Sequence, residues 1–294
     1  MRPLIANKTH YPNGITLLDS MFEKMFTHEK GPGALPMKHS AGITESKSGR
    51  EQPPKAIIAP HASYELAGPC MAWSYAFLAQ HQRPDLYIII GRAQKSTQEG
   101  LSLETFQTPY GEVRVDQEFA RALLEKGHIM QNDKAHREES VIEIQLPFLQ
   151  YINKPRIEKV KILPVLLNPE SDVKELSVDI KETLLDQDKT AVFVFVSNMT
   201  SYGRNFKFVP FTEDVENNIS KLDNDLFKAI KEYDKTTFFS TVKETMVPLS
   251  GYSAFRLFFK LFRPQRIDLE QYYMSGEMNG DYSATVSFAS MVLY

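Results

Sequence analysis

The 294-residue chain has a single cysteine, Cys70, so no intramolecular disulfide can form and stability must come from the core. It has no excess of positive charge. Its 34 Lys and Arg against 37 Asp and Glu leave a net charge of −3, which removes the basic stripe that nucleic-acid phosphates require. It also lacks long apolar runs. The most apolar stretches, LYIIIG and AVFVFVS, fall well short of the roughly 20 residues of a membrane-spanning helix. The opening MRPLIANKTHYPNG is broken by Asn7, Lys8, Thr9 and His10 before a signal peptide's apolar core can form. A soluble cytoplasmic protein is expected, with neither nucleic acid nor membrane as partner.

Catalytic signatures are equally scarce. There is no G-x-S-x-G elbow around the serines of SYGRN or PLSGYS, and no phosphate-binding loop, since GPGALPMKHSAG lacks the Lys-Ser/Thr pair and follows no strand. No two histidines stand at short metal-ligand spacing. His10, His28, His39, His81, His128 and His136 are scattered singly and read as surface or half-buried polar residues.

What is present is alternation. Helical spacing of Leu17, Leu18, Met21, Phe22 and Met25 predicts a helix over 15–30, followed by a Gly-, Pro- and Ser-rich surface loop over 31–54. Then uninterrupted apolar runs predict buried strands at 55–60, 86–91, 159–166 and 190–197. Helices are predicted between and after them, at 66–80, 116–126, 138–152 and 171–186. Further helices at 213–231, 234–244 and 251–263 precede two terminal strands, 267–274 and 283–293, the last read as an antiparallel partner. With no repeat, low-complexity tract or domain boundary, the whole chain, 1–294, reads as one α/β domain: a central mostly parallel or mixed sheet sandwiched between helices.

In such sheets ligands gather beyond the carboxyl ends of the strands. That rule selects three loops, Pro60–Gly68, Gly91–Ser96 and Ser197–Tyr202. They offer His61, Gln94, Asn198 and Ser201, of which only the imidazole is a good metal ligand. Arg92 and Lys95 flank the second loop, where an anion would meet them. In HREESVIEIQLPFL, Glu139 and Glu143 fall four apart, on one face of the expected helix, with Pro147 marking a kink or stop. Cys70 falls inside a helix, where a buried inert thiol is the ordinary outcome.

The segments PHASYELAGP, TPYGEVRVD, EESVIEIQLPFL, SNMTSYG, LSGYS and YYMSGEMNGD, in this order and after the opening RPLIANKTHYP, resemble the Memo-like family over almost the whole chain. That family is named for a mediator of cell motility downstream of receptor tyrosine kinases and includes the AmmeMemoRadiSam system protein B. The resemblance implies a class III extradiol dioxygenase-like fold with a cleft at the strand ends. Residue by residue, the histidine of the family's P-H-A-G-Y falls at His61, with Tyr64 and Gly68 kept. Its histidine after L-G-P falls at Gln94, and that of E-H-S-x-E-x-x-L-P at Ser140, with Glu139 and Glu143 kept. The aspartate and histidine of S-S-D-x-x-H-x-G fall at Asn198 and Ser201, and the cysteine before a late glycine falls at Ser250.

The resemblance thus implies a kept scaffold around an altered polar centre: of two histidines and one cysteine, only His61 remains. A serine hydroxyl stays protonated where a thiol ionises, so no metal or other cofactor is expected. The cleft is expected to hold a peptide or small-molecule ligand, lined by His61, Tyr64, Gln94, Glu139, Ser140, Asn198, Ser201, Tyr202 and Ser250, without catalysis. The other reading is an enzyme, either metal-dependent and redox-active with iron, copper or zinc, or hydrolase-like, using His61 with Glu139.

Overall fold

The computed structural model describes residues 1–7, 9–35, 52–81, 83–93 and 98–294. Gln94, Lys95, His39 and most of the loop expected over 31–54 lie outside the described residues.

The uninterrupted apolar runs become strands buried on both faces, as parallel strands covered by helices must be. β1 (Ala56–Ala59), β2 (Leu86–Arg92), β6 (Lys161–Leu167) and β7 (Ala191–Val196) lie in the order β6-β2-β7-β1, all parallel. Beyond β1 the sheet turns antiparallel. β10 (Ala284–Leu293) pairs with β1, β9 (Ile267–Met274) and the short β8 (Ser201–Gly203). At the far edge, the hairpin of β4 (Phe106–Thr108) and β5 (Gly111–Val115) joins β6, as does the two-residue β3 (Gly100–Leu101).

Helices cover both faces. α1 (Ile15–Thr27) buries Leu18, Phe22, Met25 and Phe26 against α2 (Tyr64–Ala79), which lies along β1, β9 and β10. α2 is buried almost all round, so its sequence is apolar on every side rather than striped. α1 approaches it at Gly68, where an added Cβ would stand 2.0 Å from Met25 Sδ. Cys70, in the middle of α2, is fully buried, and burial pushes its thiol well above the usual range. α3 (Gln117–Lys126), α6 (Val173–Asp186) and α9 (Tyr252–Leu261) contact one another in sequence, with α9 resting on β2 and β7. α7 (Val215–Lys231) and α8 (Lys235–Thr245) pack together beside β9.

One expected element is wrong in form. The helix read over 138–152 is broken: it takes in the last residue of one helix, a turn, a 3-10 turn and a second short helix. α4 (Asp133–Glu138) ends at Glu139, which has extended backbone, and the chain re-enters a single 3-10 turn, Glu143–Gln145, before α5 (Leu146–Ile152). Pro147 therefore opens α5 instead of kinking or stopping a longer helix; in the first turn its missing N–H costs no hydrogen bond. Glu139 and Glu143 do not share a helix face. The small elements, α10 (Ser275–Asn279) and the short strands β3, β4, β5 and β8, are too short to show periodicity.

Candidate functional site

The carboxyl ends of β1 and β7 lie side by side, with Ala59 opposite Val196. The chain leaving β1 carries His61, and the chain leaving β7 carries Asn198. The Asn198 side chain locks the two together. Its Oδ1 accepts the backbone N–H of His61 at 2.8 Å, while its Nδ2 donates to the His61 carbonyl at 2.9 Å. An aspartate here would satisfy only the first of these bonds, because an ionised carboxylate cannot donate.

The third element is the entry to α9. Ser250 Oγ accepts the Asn198 backbone N–H at 2.8 Å and lies 3.0 Å from His61 Nε2. Having accepted from the amide, the hydroxyl still has its proton and a second lone pair to meet the imidazole nitrogen, and the tautomer of His61 sets which group donates. Gly251 makes this approach feasible. A Cβ there would stand 2.2 Å from Ser197 Cβ and 2.7 Å from the Val196 carbonyl. The Gly251 N–H donates instead to Ser197 Oγ at 3.1 Å, and that hydroxyl donates to the Asn198 carbonyl. His61, Asn198 and Ser250, expected on one cleft, are thus in direct contact. Ser197 and Gly251 support them; neither stood out in the sequence, since their role is to hold backbone close to backbone.

His61 is half-buried. Burial, and secondarily the neighbouring His10, pull its pKa from 6.5 down to about 4, so the ring is neutral at physiological pH. His10 had read as an isolated polar residue; the fold brings it near His61, its carbonyl accepting the Tyr64 N–H at 2.8 Å. The reading of His136 as surface or half-buried is also corrected. It is 1% exposed, and burial lowers its pKa to about 4.

Of the other expected cleft residues, Tyr64 and Tyr202 have their hydroxyls engaged outside the contact of His61 with Ser250. Tyr64 is fully buried among Tyr11, Phe22 and Phe148, and its hydroxyl donates to the Ile144 carbonyl at 2.6 Å. Tyr202 stacks on Phe211 and donates to that residue's carbonyl at 2.5 Å. Ser201 lies in β8, paired with Val286. Ser140 is half-buried in the turn after α4, its carbonyl accepting the Ile144 N–H. Glu139 is buried, and its carbonyl accepts from Arg2. Glu143 is wholly buried and receives Arg2, the amides of Ile5 and Ala6, and the Tyr11 hydroxyl. It clamps the N-terminal segment.

Behind the cleft, Thr200 donates through both its amide and its hydroxyl to Asp223, which also receives Tyr272 and Ser287. Burial raises the pKa of this carboxyl. At the end of β2, Arg92 has a buried Nε with no hydrogen-bond partner among the described residues.

Among the described residues, no three His, Cys, Asp or Glu side chains converge as a metal-holding group. Among the described residues, the donors gathered around His61 are the Ser250 hydroxyl and the already engaged Asn198 amide, with His10 nearby. A hydroxyl and an engaged amide are weak ligands for a transition metal.

The sequence matches the family model described as Memo-like protein over residues 3–292. A MEMO1 family protein of Methanopyrus kandleri is 30% identical over 299 residues, covering 99% of this chain and 97% of its own. One from Metallosphaera sedula is 29% identical, covering 98% of this chain and 96% of its own. One from Methanocaldococcus jannaschii is 27% identical, covering 96% and 95%.

Proposed function

The chain belongs to the Memo-like family, and from that premise we propose that it is a binding protein whose strand-end cleft takes a peptide or small-molecule ligand by hydrogen bonding, without metal-centred catalysis. One observation carries this reading: the 3.0 Å contact of His61 Nε2 with Ser250 Oγ. The position that resemblance assigns to a thiolate holds a hydroxyl, and this hydroxyl is already bonded to the imidazole and to the Asn198 amide. The Nε of Arg92 at the same end of the sheet, without a partner among the described residues, favours a ligand with an anionic or strongly accepting group.

The same contact raises a hydrolase-like reading, with Ser250 as nucleophile and His61 as base. Two features weigh against it. An imidazole whose pKa is lowered to about 4 is a weak base near neutrality. The N–H groups of Asn198 and Gly251, the donors an oxyanion would need, are spent on Ser250 and Ser197. Binding remains the better account.

The test is metal analysis of protein purified without a tag, followed by calorimetry with tyrosine and phosphotyrosine peptides. The wild-type protein is expected to hold only traces of iron, copper and zinc. The Ser250→Cys, Gln94→His double variant, which returns a thiolate and a second imidazole, is expected to acquire zinc. Stoichiometric metal in the wild type, lost in His61→Ala, would overturn the proposal, as would calorimetric silence with both peptide classes.

A further inference from the structure

A cavity lies at the opposite end of the sheet from His61, and nothing in the reading above uses it. It has a volume of ≈ 450 Å³, within the range of small-molecule sites, and sits where β2, β6 and β7 begin. Five cations line it against three carboxylates, a local positive excess on a chain that is negative overall.

The pairing within the cavity sharpens this. Lys189 and Lys161 stand 2.9 and 3.6 Å from Asp116, and Lys189 also stands 3.7 Å from Glu118, so these two lysines are balanced by carboxylates. Asp85 is occupied by the amide and hydroxyl of Thr190. The third acid, Asp188, is exposed. Arg156 and Lys159 form no ion pair among the described residues, and Arg83 donates only to the Ile152 carbonyl. The turn Lys154–Lys159 breaks its own helical geometry at Arg156 (φ −145°, ψ 37°), and both of its unpaired cations line the cavity.

The lining also contains a buried acceptor. Asn153 is 1% exposed, and its Nδ2 donates to the Leu149 carbonyl at 2.7 Å and to the Tyr87 hydroxyl at 3.4 Å, but its Oδ1 has no partner among the described residues. A buried carbonyl oxygen left bare is uncommon and calls for a donor. We propose that this cavity binds a small phosphate monoester bearing a hydroxyl or amino donor, with its phosphate on Arg156, Lys159 and Arg83 and its donor on Asn153. Guanidinium groups favour phosphate, whose tetrahedral oxygens accept their forked N–H pairs.

Calorimetry with ribose 5-phosphate, inorganic phosphate and citrate tests the proposal on the full chain. Ribose 5-phosphate is expected to saturate a single site. Its affinity is expected to fall at least about tenfold in the Arg156→Gln, Lys159→Gln double variant, whose changes are exposed and leave the fold intact. Asn153→Ser is expected to weaken ribose 5-phosphate but not inorganic phosphate. Absence of saturable heat at millimolar ligand, or undiminished affinity in the double variant, would overturn the site. Equal affinity for citrate would overturn its assignment to phosphate, and equal affinity for inorganic phosphate the role given to Asn153.

Discussion

At the scale of single residues, two neutral imidazoles make the molecule sensitive to acid. His61 and His136 both have folded pKa values lowered to about 4 from 6.5. For His136 the cause is burial, and its Nδ1 has no partner among the described residues, so a proton added there would be a bare buried charge. The unfolded chain takes up both protons near pH 6.5, whereas the folded chain resists until about pH 4. Their contribution is therefore complete above pH 6.5 and is lost as pH falls from 6.5 through 4. Urea unfolding between pH 7.5 and 4.5 should show stability declining with acid. His61→Gln should have a slope shallower by up to about 1.4 kcal/mol per pH unit, one proton's worth, reduced by solvent at the half-buried ring. Parallel slopes in the two proteins would show that His61 is not a source of the acid sensitivity.

At the scale of elements, what the sequence reveals depends on length and on whether burial is uniform. The four parallel strands and the long helices were legible because apolar runs and 3.6-residue spacing persist over many residues. The segment 138–152 was not. Its apolar residues pack through a turn, a 3-10 turn and a short helix, and the mixture imitates one amphipathic helix. The cleft was half legible: strand ends pointed to His61 and Asn198, but their contact with Ser250 spans 189 and 52 residues of sequence. No local pattern encodes such distances. That contact depends on how α9 enters, which gives a prediction. In Gly251→Ala the new Cβ meets the Val196 backbone carbonyl, whereas in Gly68→Ala it meets the flexible side chain of Met25. The first should cost about 2–3 kcal/mol and the second about 1 kcal/mol by denaturant unfolding. Equal costs would mean that α9 shifts freely and that Ser250 is not held by backbone packing.

At the scale of the whole molecule, the N-terminal segment ties the far edge of the sheet to the cleft. Arg2 pairs through its backbone with Phe106, beside β5, and its fully buried guanidinium meets Glu143 at 2.6 Å. It also donates to the carbonyls of Pro3, His136 and Glu139. Glu143 in turn accepts the Ile5 and Ala6 amides and the Tyr11 hydroxyl. The segment that these bonds hold down carries His10 to its place beside the start of α2. Removing one partner strands the other charge in the core, so Arg2→Met or Glu143→Leu alone should cost about 3–5 kcal/mol. The double variant should cost clearly less than the two together, because it strands neither charge. Loosening the segment should also reach the cleft. Once His10 no longer faces His61 and water gains access to the ring, both causes of its lowered pKa relax. The His61 resonance in Glu143→Leu should then titrate well above 4, toward 6.5. If NMR shows that titration unchanged while stability falls by the expected amount, the clamp serves the fold alone and the cleft is set independently by Asn198 and Ser250.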